Sequence, residues 1–166
     1  TQTGQTWFRQ MHGTFANRYG YGLYLNGKSY VQIDKLNFLR YDTGIYYFSS
    51  SNNNSVIATT CNSNGTYGIN INNASCSNAF TSVICNSNNY GIQISTGSES
   101  NSFKNITCNS NNNTGLYIMS SSNNNSVGDA TCNSNSTYGI AFNNYCNNNF
   151  IANATCNSNG VCGINY

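Results

Sequence analysis

One tetrapeptide, Cys-Asn-Ser-Asn, recurs five times at nearly constant spacing, and this repetition restricts the chain to a small set of folds. The copies begin at Cys61, Cys85, Cys108, Cys132 and Cys156, at intervals of 24, 23, 24 and 24 residues. A period of this size marks one supersecondary unit stacked on copies of itself, because each unit buries its apolar face only against its neighbours.

Each Cys is followed six or seven residues later by Gly and an apolar-x-apolar triplet, as in Gly68-Ile69-Asn70-Ile71 and Gly91-Ile92-Gln93-Ile94. The same triplet stands upstream as Gly22-Leu23-Tyr24-Leu25 and Gly44-Ile45-Tyr46-Tyr47, and downstream it closes the chain as Gly163-Ile164-Asn165-Tyr166. Alternation of period two marks a strand with one buried face. A second apolar column lies five residues before each Cys: Val56, Phe80, Phe103, Val127 and Ile151. The composition, rich in Asn, Ser, Thr and Gly and lacking a 3.6-residue period, argues against helix. The prediction is an all-β parallel β-helix (β-solenoid) of about seven coils of 22–24 residues, with two or three short strands per coil. The glycine heading each triplet is expected at a corner with positive φ.

Two Asn columns run in phase with the cysteines. Asn54, Asn78, Asn101, Asn125 and Asn149 stand seven residues before them; Asn64, Asn88, Asn111, Asn135 and Asn159 stand three after. Coils stack at ~4.8 Å, so amides in one column are expected to bond to their copies above and below. An Asn/Ser-rich disordered segment would not need apolar residues locked to the same phase.

Residues 1–16, which include Trp7 and His12, are assigned to an N-terminal cap or arm, and residues 17–166 to the repeat domain. The chain starts at Thr1 instead of Met, which predicts removal of a targeting segment and an extracellular location. It stops inside a triplet at Tyr166. An uncapped coil offers unpaired backbone groups, so the expected partner is a second copy, in a homopolymer.

Charged residues make up 6% of the chain and the net charge is +2, so no field steers a nucleic acid or an anionic membrane. No apolar run approaches the ~20 residues of a membrane span. Thiolates one coil apart do not form a C-x₂-C knuckle, and the single His12 lies outside the repeats, so neither a metal nor a cofactor is expected. The carboxylates Asp34, Asp42, Glu99 and Asp129 share no column. General acid–base chemistry needs such groups to converge, and the chain is therefore expected not to be an enzyme, with no catalytic residue.

The five column cysteines read as buried thiols, although their spacing also falls within the Cα range of a disulfide. Cys162, Cys76 and Cys146 lie off the column, at corners or the open end, and are the candidate intersubunit disulfides. Tyr24, Tyr46 and Tyr117 occupy triplet centres and should face outward, for packing between rods or for stacking on surface glycans. Among many Asn-x-Ser/Thr sequons, Asn105 and Asn153 lie at an outward position and are the glycosylation candidates.

The pattern Ser-Ser-Ser-Asn-Asn-Asn-Ser-Val at 49–56 and 120–127, followed by Thr-Cys-Asn-Ser-Asn and Gly-Ile, resembles NosD-like right-handed parallel β-helix repeats. More narrowly, it resembles the Asn-rich β-helical surface proteins of methanogenic archaea. The resemblance implies an extracellular structural protein that self-assembles, amyloid-like, into a sheath, fibre or tubular envelope layer. The alternative it leaves is a carbohydrate-binding or adhesin β-helix.

Overall fold

The computed structural model describes residues 7–9 and 20–166. It contains sixteen short strands and, among the described residues, no helix. In chain order they are β1 (Trp7–Arg9), β2 (Tyr21–Asn26), β3 (Gln32–Asp34), β4 (Asn37–Leu39), β5 (Thr43–Phe48) and β6 (Ser55–Ile57). Next come β7 (Thr60–Asn62), β8 (Tyr67–Ile71), β9 (Ala79–Thr81), β10 (Tyr90–Ile94) and β11 (Ser102–Lys104). The last are β12 (Leu116–Met119), β13 (Ser126–Gly128), β14 (Tyr138–Asn143), β15 (Phe150–Ala152) and β16 (Cys162–Asn165).

Every ladder is parallel and in repeat register. One seven-stranded sheet runs β1-β3-β6-β9-β11-β13-β15, and a second runs β2-β5-β8-β10-β12-β14-β16. A narrow third face begins with the β4–β7 pair and continues as single bridges from Thr60 through Ile84, Thr107 and Thr131 to Thr155. The chain is thus an all-β parallel solenoid of about six turns. Of the segment 1–16 assigned to a cap or arm, only β1 is described; the remainder, with residues 17–19, lies outside the described residues.

The interior is filled by columns. Ile45, Ile69, Ile92, Leu116 and Ile140 stack under the second sheet, and Val56, Phe80, Phe103 and Val127 under the first, all essentially inaccessible. Phe80 and Phe103 lie face to face with centroids 4.7 Å apart. Leu36, Val83, Ile106 and Ala130 line the third face alongside the cysteine column. The large side chains of successive coils meet their own kind, which keeps the cross-section constant and the register fixed.

The glycines heading the triplets do not adopt positive φ, contrary to the sequence expectation. That conformation falls instead on other residues, among them Ser63, Ser87, Ser110, Ser134 and Ser158, at φ 53–58°. The serine of each tetrapeptide therefore turns the corner. Glycine is required for a different reason: a Cβ on Gly68 would lie 2.5 Å from the Gly91 carbonyl oxygen and 2.9 Å from both Asn88 Nδ2 and Cys85 Cβ.

Candidate functional site

The two corners beside the core are held by amides. At the first, each Asn oxygen accepts from the coil before it: Asn54 N and Nδ2 donate to Asn78 Oδ1 (2.9 and 3.0 Å), and Asn78 donates likewise to Asn101 (3.0 and 3.1 Å). Asn101 continues to Asn125 and Asn125 to Asn149. The second corner repeats this from Asn64 through Asn88, Asn111 and Asn135 to Asn159, with N···Oδ1 distances of 2.8–2.9 Å. Buried amides are satisfied in this way without water.

Between these corners lie Cys61, Cys85, Cys108 and Cys132, fully buried, and the half-buried Cys156. All eight cysteines are thiols. Burial, the largest cause, pushes the Cys85 thiol well above its ordinary value; the thiol contact with Cys108 does the same to Cys132, and the contact with Cys132 to Cys156. Cys76, Cys146 and Cys162 are half-buried and separate from one another in the fold, with Cys162 paired in register with Tyr138. Asn105 and Asn153 are both exposed at positive φ, and their amides donate to Ser82 Oγ and Asp129 Oδ1 at 3.1 Å.

The outer face of the second sheet gathers the most distinctive chemistry. The rings of Tyr21 and Tyr24 stack at 5.0 Å, Tyr24 and Tyr46 at 5.5 Å, and Phe48 lies 5.7 Å from Tyr46. Further along, Tyr67 stacks on Tyr90 at 5.6 Å and Tyr90 on Tyr117 at 5.9 Å. Amides pin the hydroxyls: Asn113 Nδ2 donates to Tyr90 OH (3.0 Å) and Asn143 Nδ2 to Tyr117 OH (3.2 Å). Tyr21 and Tyr24 remain 46% and 43% exposed. Burial raises the Tyr46 and Tyr67 phenols above their usual value, so they stay neutral donors. The face therefore offers rings and amides, with the Asp42 carboxylate beside Tyr67.

Sequence alternation placed Tyr24, Tyr46 and Tyr117 outward; Tyr24 is exposed, and the other two are half-buried by their neighbours. It did not identify Tyr21, Tyr67 and Tyr90, which precede the triplet glycine. The close approach at that glycine breaks the alternation and sends the preceding ring to the same face as the triplet centre.

The carboxylates stay apart. Asp42 accepts from the Thr66 hydroxyl at 2.6 Å, Glu99 from the Asn123 amide at 3.0 Å, and Asp34 lies 3.8 Å from Lys35 Nζ. Among the described residues no three His, Cys, Asp or Glu side chains form a metal cluster, and no helix is long and apolar enough to cross a membrane.

A parallel solenoid with an open aromatic face places this chain in the class of β-helix proteins. It belongs to the family described as the right handed beta helix region, whose model matches residues 12–129. Among solved structures it resembles the periplasmic alginate epimerase AlgG, at 13% identity and TM-score 0.81, over 90% of this chain and 42% of that one. It also resembles pectate lyase Pel9A, at 14% identity and TM-score 0.68, over 87% of this chain and 52% of that one. The A-module of the Azotobacter vinelandii mannuronan C-5 epimerase AlgE4 matches at 10% identity and TM-score 0.62, covering 87% of this chain and 51% of the module. This chain thus spans about half the length of these structures. No curated protein sequence matches it.

One expectation is overturned by these matches. The chain was expected not to be an enzyme, yet the structures that share its fold are epimerases and a lyase. Scattered carboxylates count only against chemistry that needs a converging pair of them. They do not set this solenoid apart from a fold on which carbohydrate chemistry is carried out.

Proposed function

We propose that the chain is a carbohydrate-recognising β-helix whose ligand, an extended polysaccharide, lies along the tyrosine face of the second sheet. The observation that carries this reading is the continuous stack of Tyr21, Tyr24 and Tyr46, of which Tyr21 and Tyr24 are exposed. Successive coils present rings at ~4.8 Å, close to the length of one pyranose residue. A sugar chain running along the rod would then place one unit on each coil. Apolar faces of the sugars meet rings, and hydroxyls meet Asn and Gln amides. The resemblance to an alginate epimerase and a pectate lyase supports carbohydrate as the ligand class, and the periplasmic location of that epimerase supports a location outside the cytoplasm. Binding rests chiefly on stacking and amides.

Affinity electrophoresis against neutral glucans, alginate and pectate tests this directly, with the same polymers assayed for lyase and epimerase products. Retardation by at least one polymer, lost in the Tyr24→Ala/Tyr46→Ala pair, is the expected result. Unretarded migration through the whole panel would remove the reading.

A second reading draws on the same exposed rings: a copy of this chain covers them, and rods assemble into a sheath, fibre or tube at the cell surface. The near absence of charge favours it, as does the resemblance to Asn-rich archaeal surface proteins, with Cys162, Cys76 and Cys146 as candidate covalent links. Sedimentation velocity separates the two readings. Self-assembly gives large species that the tyrosine variants dissolve, whereas glycan binding leaves a monomer.

A further inference from the structure

The third face differs from the other two in being uniform. Along the first and second sheets the outward positions change character from coil to coil, from Tyr46 through Asn70 and Gln93 to Ala141 in one column of the second. On the third face, Thr60, Thr107, Thr131 and Thr155 share one outward row, headed by Asn37 and interrupted by Ile84. Two residues on, Asn62, Asn86, Asn109, Asn133 and Asn157 form a second row, headed by the exposed Leu39, flanking the buried cysteines.

The Asn row has an internal explanation. Each Oδ1 accepts the backbone N–H of the next coil's Asn at 2.7–2.8 Å, which also locks the side chain and leaves its Nδ2 donors for a ligand. The Thr row has none: Thr60, Thr107 and Thr131 are half-buried and Thr155 is exposed. The two rows form a rectangular net of ~4.8 Å between coils by ~6.6 Å along the strand. It carries hydroxyl, methyl and amide groups and no charged side chain. A rigid neutral net of this kind loses little entropy when it meets a ligand that is itself a lattice.

We propose that the Thr–Asn face binds the surface of ice. The coil spacing lies close to the shorter oxygen repeat on a prism face of ice, and the spacing between the rows falls somewhat short of the longer one. Hydroxyls and amides can occupy lattice positions while the methyls sit in the troughs between them. Salt-dependent ligands are disfavoured by the missing charge, and a flexible single polymer would not need uniformity in two directions. This face is separate from the tyrosine face and independent of the function proposed there.

The test is nanolitre osmometry and ice-recrystallisation assay on the whole chain, with circular dichroism to verify the fold of each variant. Shaped ice crystals and a freezing-point gap are expected from the wild type. Thr107→Lys, at the centre of the row, lowers the gap by about an order of magnitude while the spectrum stays unchanged. Ile84→Thr, which completes the row, raises it; Tyr24→Ala leaves it alone. A folded wild-type chain that neither shapes ice nor slows recrystallisation overturns the proposal, as does an undiminished gap in Thr107→Lys. Retention on microcrystalline cellulose with no effect on ice would also overturn it, assigning the face to crystalline polysaccharide.

Discussion

Asn78 Oδ1 accepts two hydrogen bonds from a single residue of the preceding coil, the backbone N–H of Asn54 at 2.9 Å and its side-chain Nδ2 at 3.0 Å. One oxygen thereby ties the main chain and the side chain of its neighbour to the same point. Repeated at every coil, this makes each amide both a cap for the coil below and a donor to the coil above.

Asn101, in the middle of that column, tests what the arrangement contributes. Truncation to Ala leaves the Asn78 N–H without an acceptor, its Nδ2 with only the Ser51 carbonyl, and the Ser75 carbonyl without its 3.2 Å donor. Each such loss in a buried site costs about 1–3 kcal/mol. Urea denaturation of Asn101→Ala should show a loss of about 3–5 kcal/mol. A loss below about 1 kcal/mol would mean that the coils relax to pair these groups elsewhere.

Gly68 and Gly128 make a matched pair for the second prediction. An added Cβ at Gly68 would strike the backbone of the next coil, whereas at Gly128 nothing lies within 4 Å. Neither has positive φ, so the comparison isolates close approach from backbone conformation. Gly68→Ala should destabilise by about 3 kcal/mol or more, because backbone cannot move aside as a flexible side chain can. Gly128→Ala should fall within about 0.5 kcal/mol of the parent. Equal melting temperatures for the two variants would contradict this account of the triplet glycine.

These two residue types also show how far the sequence could be read. The repeat exposes the fold because every coil satisfies the same physical demands at the same positions, so apolar columns and register follow from phase alone. The reason for a conserved-looking residue within the repeat does not follow. Glycine serves both positive φ and close contact, and only the structure shows that Ser63 and its equivalents turn the corner. In the tyrosine face, period-two alternation located Tyr24 and Tyr46. It missed Tyr67 and Tyr90 because the backbone contact at Gly68 and Gly91 interrupts the period they would have been read by. The Thr–Asn rows straddle the start of the tetrapeptide, and the outward side of Thr60 and Asn62 shows only once their neighbours in space are known.

Tyr47 supplies a third prediction, of opposite sign. It is fully buried, edge-on to Phe80 at 5.6 Å, and its hydroxyl has no hydrogen-bond partner. Burial, followed by the nearby Cys61, pushes its phenol well above the ordinary value. An unpaired buried hydroxyl costs about 1–3 kcal/mol, so Tyr47→Phe should stabilise the chain by about 1–2 kcal/mol and raise its melting temperature. A lowered melting temperature would reveal an internal water bound to the hydroxyl.

The thiol column gives the chain a defined response to alkali. In the folded state burial holds Cys85 protonated well above its usual range, and contact with Cys108 does so for Cys132. In the unfolded chain the same thiols ionise near pH ~8.5. Below that pH both states keep their protons and the thiols add no slope. Above it the unfolded state binds fewer protons than the folded one, and stability falls by roughly 1.4 kcal/mol per pH unit for each such thiol. Denaturation midpoints measured under a phosphine reductant should be level from neutral pH to about pH 8 and then decline between about pH 8.5 and 9.5, before most tyrosines ionise. Cys85→Ala lowers the baseline through the small cavity it leaves, but its distinguishing effect is a shallower decline, since one ionising group is gone from the unfolded state. A profile that stays level through this range, or one unchanged in slope by the substitution, would show that the column admits thiolate within the folded solenoid.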